Sequence, residues 1–163
     1  MKNILVPTDF SDCASAAAKV ALDIAKKAQA EIYFLHMHET APEGGHAHMH
    51  GGGQSGGMQH HSHEGHAKSE LDKLIRNAEK NGVQAKPVLV RNTGNERLVS
   101  YIDGYNIDFV VMGSHGASGL KEFLSGSVTQ RIVRESPVPV LVIKNGNKKL
   151  EFKNIIFASS FEE

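Results

Sequence analysis

Short apolar runs alternate with amphipathic stretches along most of this chain. Asn3 to Val6 reads NILV and stops at Pro7, which suits a strand buried on both faces of a parallel sheet. Ser11 or Asp12 can cap the helix predicted over Ala14 to Ala28, where Ala17, Val20, Ala21, Ile24 and Ala28 fall at helical spacing. Glu31 to Met37, EIYFLHM, has the aromatic and branched residues of a second strand. Further on, Leu71, Leu74, Ile75 and Ala78 make the apolar face of a helix that starts at Ala67 and ends near Gly82. Val88 to Val90 predicts a third strand. Leu98, Val99 and Ile102 predict a short helix from near Asn95, and Asp108 to Met112 a fourth strand. Ser127 to Glu135 reads as a helix with Val128, Ile132 and Val133 inward, and Val138 to Ile143 as a fifth strand. Strands alternating with helices predict an α/β fold, a doubly wound five-stranded parallel sheet with helices on both faces. Ligands of such sheets lie beyond the carboxyl ends of the strands, where strand order changes direction. The turns after Val6, Met37 and Met112 are therefore the places to seek a site.

One segment breaks the alternation. Glu43 to His66 holds eight of the 16 glycines and seven of the 10 histidines. It has too little apolar surface to offset its ordering entropy, and its composition predicts a flexible inserted loop at 43–66. The rest of the chain sets few further limits. Its 163 residues suffice for one domain, and 18 basic residues balance 18 acidic ones, so no net basic charge points to nucleic acid. No stretch approaches the roughly 20 apolar residues that span a bilayer. The single cysteine, Cys13, permits no intrachain disulfide and fits a reducing, cytoplasmic setting.

The densest chemical signal is GSHGASGLKEFLSGS, Gly113 to Ser127, between a predicted strand and a predicted helix. Gly113 and Gly116 allow close backbone approach to a ligand and positive φ. Gly126 and Ser127 stand at a helix start, where free N–H groups and the helix dipole attract anions. The pattern is neither a P-loop nor G-x-G-x-x-G. No nucleophile and base stand at a fixed spacing, which favours a binding module over an enzyme, at most a slow ATPase or autokinase.

Gly113, Gly116, Gly126 and Ser127 satisfy G-x2-G-x9-G-[ST], the ATP-binding pattern of the universal stress proteins. NILVPTDFS, FLHM, DFVVMGSHGASGL and SPVPVLVI, in that order, also resemble that family over Lys2 to Lys144. The resemblance implies an adenine nucleotide alpha hydrolase-like fold and a nucleotide-responsive regulatory role in stress response. It implies that Pro7, Thr8 and Asp9 meet the nucleotide, with Asp9 near adenine or ribose. Met37 would offer its backbone to adenine and Met112 would line the base pocket. Gly113, His115 and Gly116 would lie by ribose and phosphates. Gly126, Ser127, Val128 and Thr129 would hold the phosphate chain of ATP, AMP or ADP, with Mg²⁺ or Mn²⁺. It also implies a homodimer, or a tandem pseudo-dimer, through the edge of the fifth strand, to which Pro137 and Pro139 are suited. Asp9 as a helix cap, and Met37 and Met112 as core fillers, are the plainer alternatives.

Two features stand outside the resemblance. His46, His48, His50, His60, His61, His63 and His66 supply imidazoles suited to Zn²⁺, Cu²⁺ or Ni²⁺. And KNIIFASSFEE, Lys153 to Glu163, aligns without gaps to KNILVPTDFSD, Lys2 to Asp12. That similarity predicts a domain over 1–147 and, over 148–163, the first strand of a truncated second repeat.

Overall fold

The computed structural model describes residues 1–39, 56–92, 97–114 and 128–144. Five strands, β1 (Asn3–Pro7), β2 (Glu31–Glu39), β3 (Ala85–Asn92), β4 (Phe109–Gly113) and β5 (Val140–Ile143), form one parallel sheet in the order β3-β2-β1-β4-β5. The helices are α1 (Asp12–Ala28), α2 (Gly56–Lys80), α3 (Ser100–Gly104) and α4 (Val128–Glu135). Period-2 alternation divides the strand residues between two layers. Ile4, Val6, Ile32, Phe34 and Val111 pack with residues of α1 and α2, while Leu5, Tyr33, Leu35, Val110 and Met112 pack with Ile102 of α3 and Ile132 of α4. This is the doubly wound sheet that the apolar pattern predicts.

Local chemistry sets the helix ends. The Ser11 hydroxyl accepts from the Ala14 N–H at 3.2 Å and caps α1. The three longer chain reversals after α1, α2 and α3 place Gln29, Gly82 and Asn106 at φ 51°, 74° and 49°. After α2, Gly82 N donates to Glu79 O at 2.9 Å and Val83 N to Ala78 O at 3.0 Å, the paired bonds of a Schellman close, with Val83 then buried. Asp108 ties the opposite end of the sheet, its carboxylate accepting from the Lys2 and Asn3 N–H groups at 2.6 and 3.0 Å. Those two amides hold its carboxyl below the ordinary 3.8. The stabilisation this provides is present above that ordinary value and is lost as pH falls below it. Melting temperature should therefore fall more steeply on acidification below pH 3.8 in the wild type than in Asp108→Asn.

The structure corrects three sequence readings. First, α2 begins at Gly56, not Ala67, so part of the predicted loop is helix. Extending a helix costs less than nucleating one, and these turns are anchored: Ala67 is buried and Glu64 pairs with Lys68 at 2.7 Å and Arg91 of β3 at 2.9 Å. Those bonds, Lys68 first and then Arg91, lower the Glu64 carboxyl to about 2. Second, only Ile132 of α4 is buried, whereas Val128 and Val133 are 49% and 54% exposed. A helix this short turns one narrow stripe inward, and Thr129 shares it with Ile132 at i, i+3. Third, α3 starts at Ser100, with Leu98 buried in the turn before it. Elsewhere β3 is longer than predicted and includes Pro87, which its edge position tolerates. Among the described residues no helix is long and apolar enough to cross a membrane. The repeat at 148–163 lies outside the described residues.

Candidate functional site

Strand order reverses between β1 and β4: β2 and β3 lie to one side of β1, β5 to the other side of β4. The crevice at the carboxyl ends of this pair is where such a sheet takes ligands. Its two walls are the turn after Pro7 and the residues around Gly113.

The first wall is a tightly bonded turn. Thr8 N donates to Leu35 O at 2.8 Å, continuing the β1–β2 ladder past Pro7. The Thr8 hydroxyl accepts from Phe10 N at 3.0 Å, and an Asp9 carboxylate oxygen accepts from Ser11 N at 3.1 Å. Side-chain bonds two residues on are how Thr and Asp shape turns. They hold Phe10 at φ 64°, a conformation costly for a bulky residue that persists only where its surroundings determine it. Thr8 is buried at 9% exposure, while Asp9 is exposed. Ser11, not Asp9, is the helix cap, so Asp9 is presented at the edge rather than absorbed by α1.

Sequence reasoning missed His36. Its Nδ1 stands 2.8 Å from Thr8 O. A carbonyl only accepts, so Nδ1 carries the proton and donates. The same ring lies on Phe10, centroids 4.5 Å apart. His36 thus clamps both sides of the turn from the end of β2. The signal lies in FLHM, where His36 immediately precedes Met37 near the carboxyl end of the strand. His36→Phe should lose about 1 kcal/mol of stability, from the bond alone. His36→Asn, which keeps an N–H at the same remove from Cβ, should recover part of it in urea unfolding.

The second wall corrects the reading of Gly113. It does not have positive φ; among the described residues only Gly82 among glycines does. A Cβ on Gly113 would lie 3.0 Å from Cys13 Sγ, 3.1 Å from Cys13 C and 3.3 Å from Ala14 N. Glycine is needed there because the start of α1 lies directly against it. Cys13 is buried, its thiol donating to Ile143 O at 3.2 Å, with Ser114 Oγ at 3.8 Å. Ser114 N donates to Ile143 O at 2.8 Å, extending β4–β5 pairing. The Thr129 hydroxyl donates to Gly113 O at 3.1 Å and fixes the start of α4 beside the end of β4.

The predicted site residues therefore divide. Pro7, Thr8, Asp9, Gly113 and Thr129 gather at the switch point. Met37 is half-buried one strand away, packed on the α3–α4 layer, and Met112 is 5% exposed within that layer, a core residue. Val128 opens α4 and is exposed. His115, Gly116, Gly126 and Ser127 lie outside the described residues, as do His46, His48 and His50. His60, His61 and His63 fall on the α2 backbone, and His66 is exposed there.

The universal stress protein family profile matches residues 1–144. The chain belongs to the universal stress protein family. Its relatives include Universal stress protein MJ0531 of Methanocaldococcus jannaschii, 31% identical over 150 residues that cover 91% of this chain and 85% of that protein. MJ0577 of the same organism has a solved structure that superposes at a TM-score of 0.69 with 27% identity, covering 90% of this universal stress protein and 98% of that chain. Two further family structures share the fold at 22% identity. One, in complex with cAMP, has a TM-score of 0.62 and covers 87% of this chain and 95% of its own. The other, from Archaeoglobus fulgidus in complex with dAMP, has a TM-score of 0.59 and covers 88% and 98%.

Proposed function

We propose that this universal stress protein is a nucleotide-responsive regulatory module that binds an adenine nucleotide, ATP above all, in the β1–β4 crevice. The observation that carries this reading is the meeting, at the switch in strand order, of the clamped Thr8–Asp9 turn with the end of β4 at Gly113. Two relatives of the same fold are solved in complex with cAMP and dAMP, which share adenine and a phosphate. The pattern at Gly113, Gly116, Gly126 and Ser127 supports a triphosphate. Asp9 is assigned to ribose or adenine, the Met37 backbone to the base, and the residues from Gly113 through Thr129 to the phosphates. The described donors at this edge are the Thr8, Ser114 and Thr129 hydroxyls and the Asp9 carboxylate. They are hard oxygen ligands, of the type that suits Mg²⁺ or Mn²⁺ arriving with ATP. The Thr129 hydroxyl bond to Gly113 O, which holds the start of α4 beside the end of β4, supports assigning the α4 N-terminus to the phosphates.

Among the described residues β5 is the last strand on its side of the sheet, with Val142 36% exposed, and we assign its edge to pairing with a second copy.

A ligand binding only the folded chain raises its stability by about 2.7 kcal/mol at 100 times Kd. For a domain of this size that is a shift in melting temperature of roughly 2–4 °C per kcal/mol. ATP and AMP should produce such a shift and GTP a smaller one. Asp9→Ala should weaken ATP binding by about 10-fold or more in calorimetry, the worth of a charged hydrogen bond. Equal shifts with ATP and GTP would remove adenine from the proposal.

A further inference from the structure

We propose that His36 is a positioning residue of the nucleotide site, acting not on the nucleotide but through the turn that presents Asp9. The inference rests on the reading of the β1–β4 crevice as an adenine-nucleotide site and deepens it. His36 brackets Asp9 from both sides. Its Nδ1–H donates to Thr8 O at 2.8 Å. That carbonyl and the Asp9 N–H belong to one planar peptide, so a bond at the oxygen also sets the direction of the Asp9 backbone. The same ring lies on Phe10, centroids 4.5 Å apart and planes 30° from parallel. Phe10 follows Asp9 and stands at φ 64°, which a bulky residue keeps only where its surroundings determine it. Two contacts of one imidazole thus hold the residue before Asp9 and the residue after it.

The other bonds of the turn do not do this. Thr8 N donates to Leu35 O at 2.8 Å, and Thr8 Oγ1 accepts from Phe10 N at 3.0 Å. Neither reaches the Thr8 carbonyl. Thr8 is 9% exposed, so that carbonyl would lose with the imidazole a partner that water does not readily replace. Asp9 itself is exposed and accepts from Ser11 N at 3.1 Å, a bond inside the turn that moves with it. His36 can hold the turn because it stands in the sheet, in register with Leu89 of β3, whereas Thr8 to Ser11 lie past the end of β1. Without the imidazole the turn adopts further orientations, and a nucleotide binds only the fraction that presents Asp9 correctly. The apparent Kd then rises by the inverse of that fraction, even in fully folded protein.

The test is calorimetric titration of the full chain with Mg·ATP, at a temperature where circular dichroism shows each variant folded. His36→Phe keeps a ring for Phe10 and removes the donor, and its Kd should rise about 10-fold, as when one folded molecule in ten holds the turn. His36→Asn carries an amide nitrogen at the place of Nδ1 and should return to within about 3-fold of wild type. His36→Gln carries it one bond further out and should stay with His36→Phe. A second measurement needs neither variant nor nucleotide. Long-range ¹H–¹⁵N spectra of the wild type should show the neutral His36 ring as the Nδ1–H tautomer. Wild-type ATP affinity in folded His36→Phe, equal weakness of the Asn and Gln variants, or the Nε2–H tautomer would each overturn this inference alone. Absence of saturable ATP binding by the wild type would overturn the crevice reading and this inference with it.

Discussion

Phe34→Ala is expected to lose about 3–5 kcal/mol of folding free energy. Phe34 is fully buried on β2, between Val6 of β1 and Pro87 of β3 in register, in the layer covered by α1 and α2. Among the described residues it is the largest side chain with essentially no exposure, so its removal leaves a cavity between the sheet and its covering helices rather than a dent at the surface. A domain's whole stability is about 5–15 kcal/mol, so the loss is a large fraction of it. The damage should also spread to the site, because the next residue, Leu35, accepts the Thr8 amide that anchors the first wall. Urea unfolding should show a lower midpoint with an unchanged slope. A loss below about 1 kcal/mol would mean the layer closes over the gap.

Gly113→Val is the second substitution with a large expected effect, and it separates two roles of one residue. The first added carbon already sits 3.0–3.3 Å from Cys13 and Ala14, and two of those three atoms are backbone. Backbone cannot rotate aside, so α1 must shift away from β4. Overpacking of this kind costs about 1–3 kcal/mol. The shift displaces Asp9 and Ser11, which precede α1 directly, relative to the end of β4. ATP-induced stabilisation should therefore vanish in Gly113→Val at a temperature where the variant is still folded. Cys13→Ala in the same background should relieve the Sγ contact only, restoring part of the stability. Full ATP response in folded Gly113→Val would show that the two walls need not keep their spacing.

Much of this was legible in the sequence because parallel strands buried on both faces read as unbroken apolar runs. NILV and DFVVM needed no tertiary information, and the alternation with helices fixed the layer arrangement. What failed had physical causes. β3 is longer than Val88 to Val90 because an edge strand accepts Lys86 and Pro87, which composition alone marks as breakers. The start of α2 was hidden because its first turns are held by a long-range pair, Glu64 with Arg91, and not by their own glycine- and histidine-rich composition. Val128 and Val133 were assigned inward by hydrophobicity, yet only the Thr129–Ile132 stripe faces the sheet. In the site, the TDFS turn was readable as a place but not as a device. Its strain at Phe10 and its clamp by His36 depend on a strand more than twenty residues away. The sequence marks Gly113 as a place of close backbone approach, and in the structure the start of α1 is what approaches it.

The most direct measurement is amide chemical-shift mapping of the isotope-labelled protein titrated with Mg·ATP. The account predicts saturable shifts concentrated at Thr8, Asp9, Met37, Gly113, Ser114 and Thr129, with Lys86 and Asp108, at the other end of the sheet, unmoved. Saturable shifts centred away from the carboxyl ends of β1 and β4, or none at millimolar ATP, would contradict it.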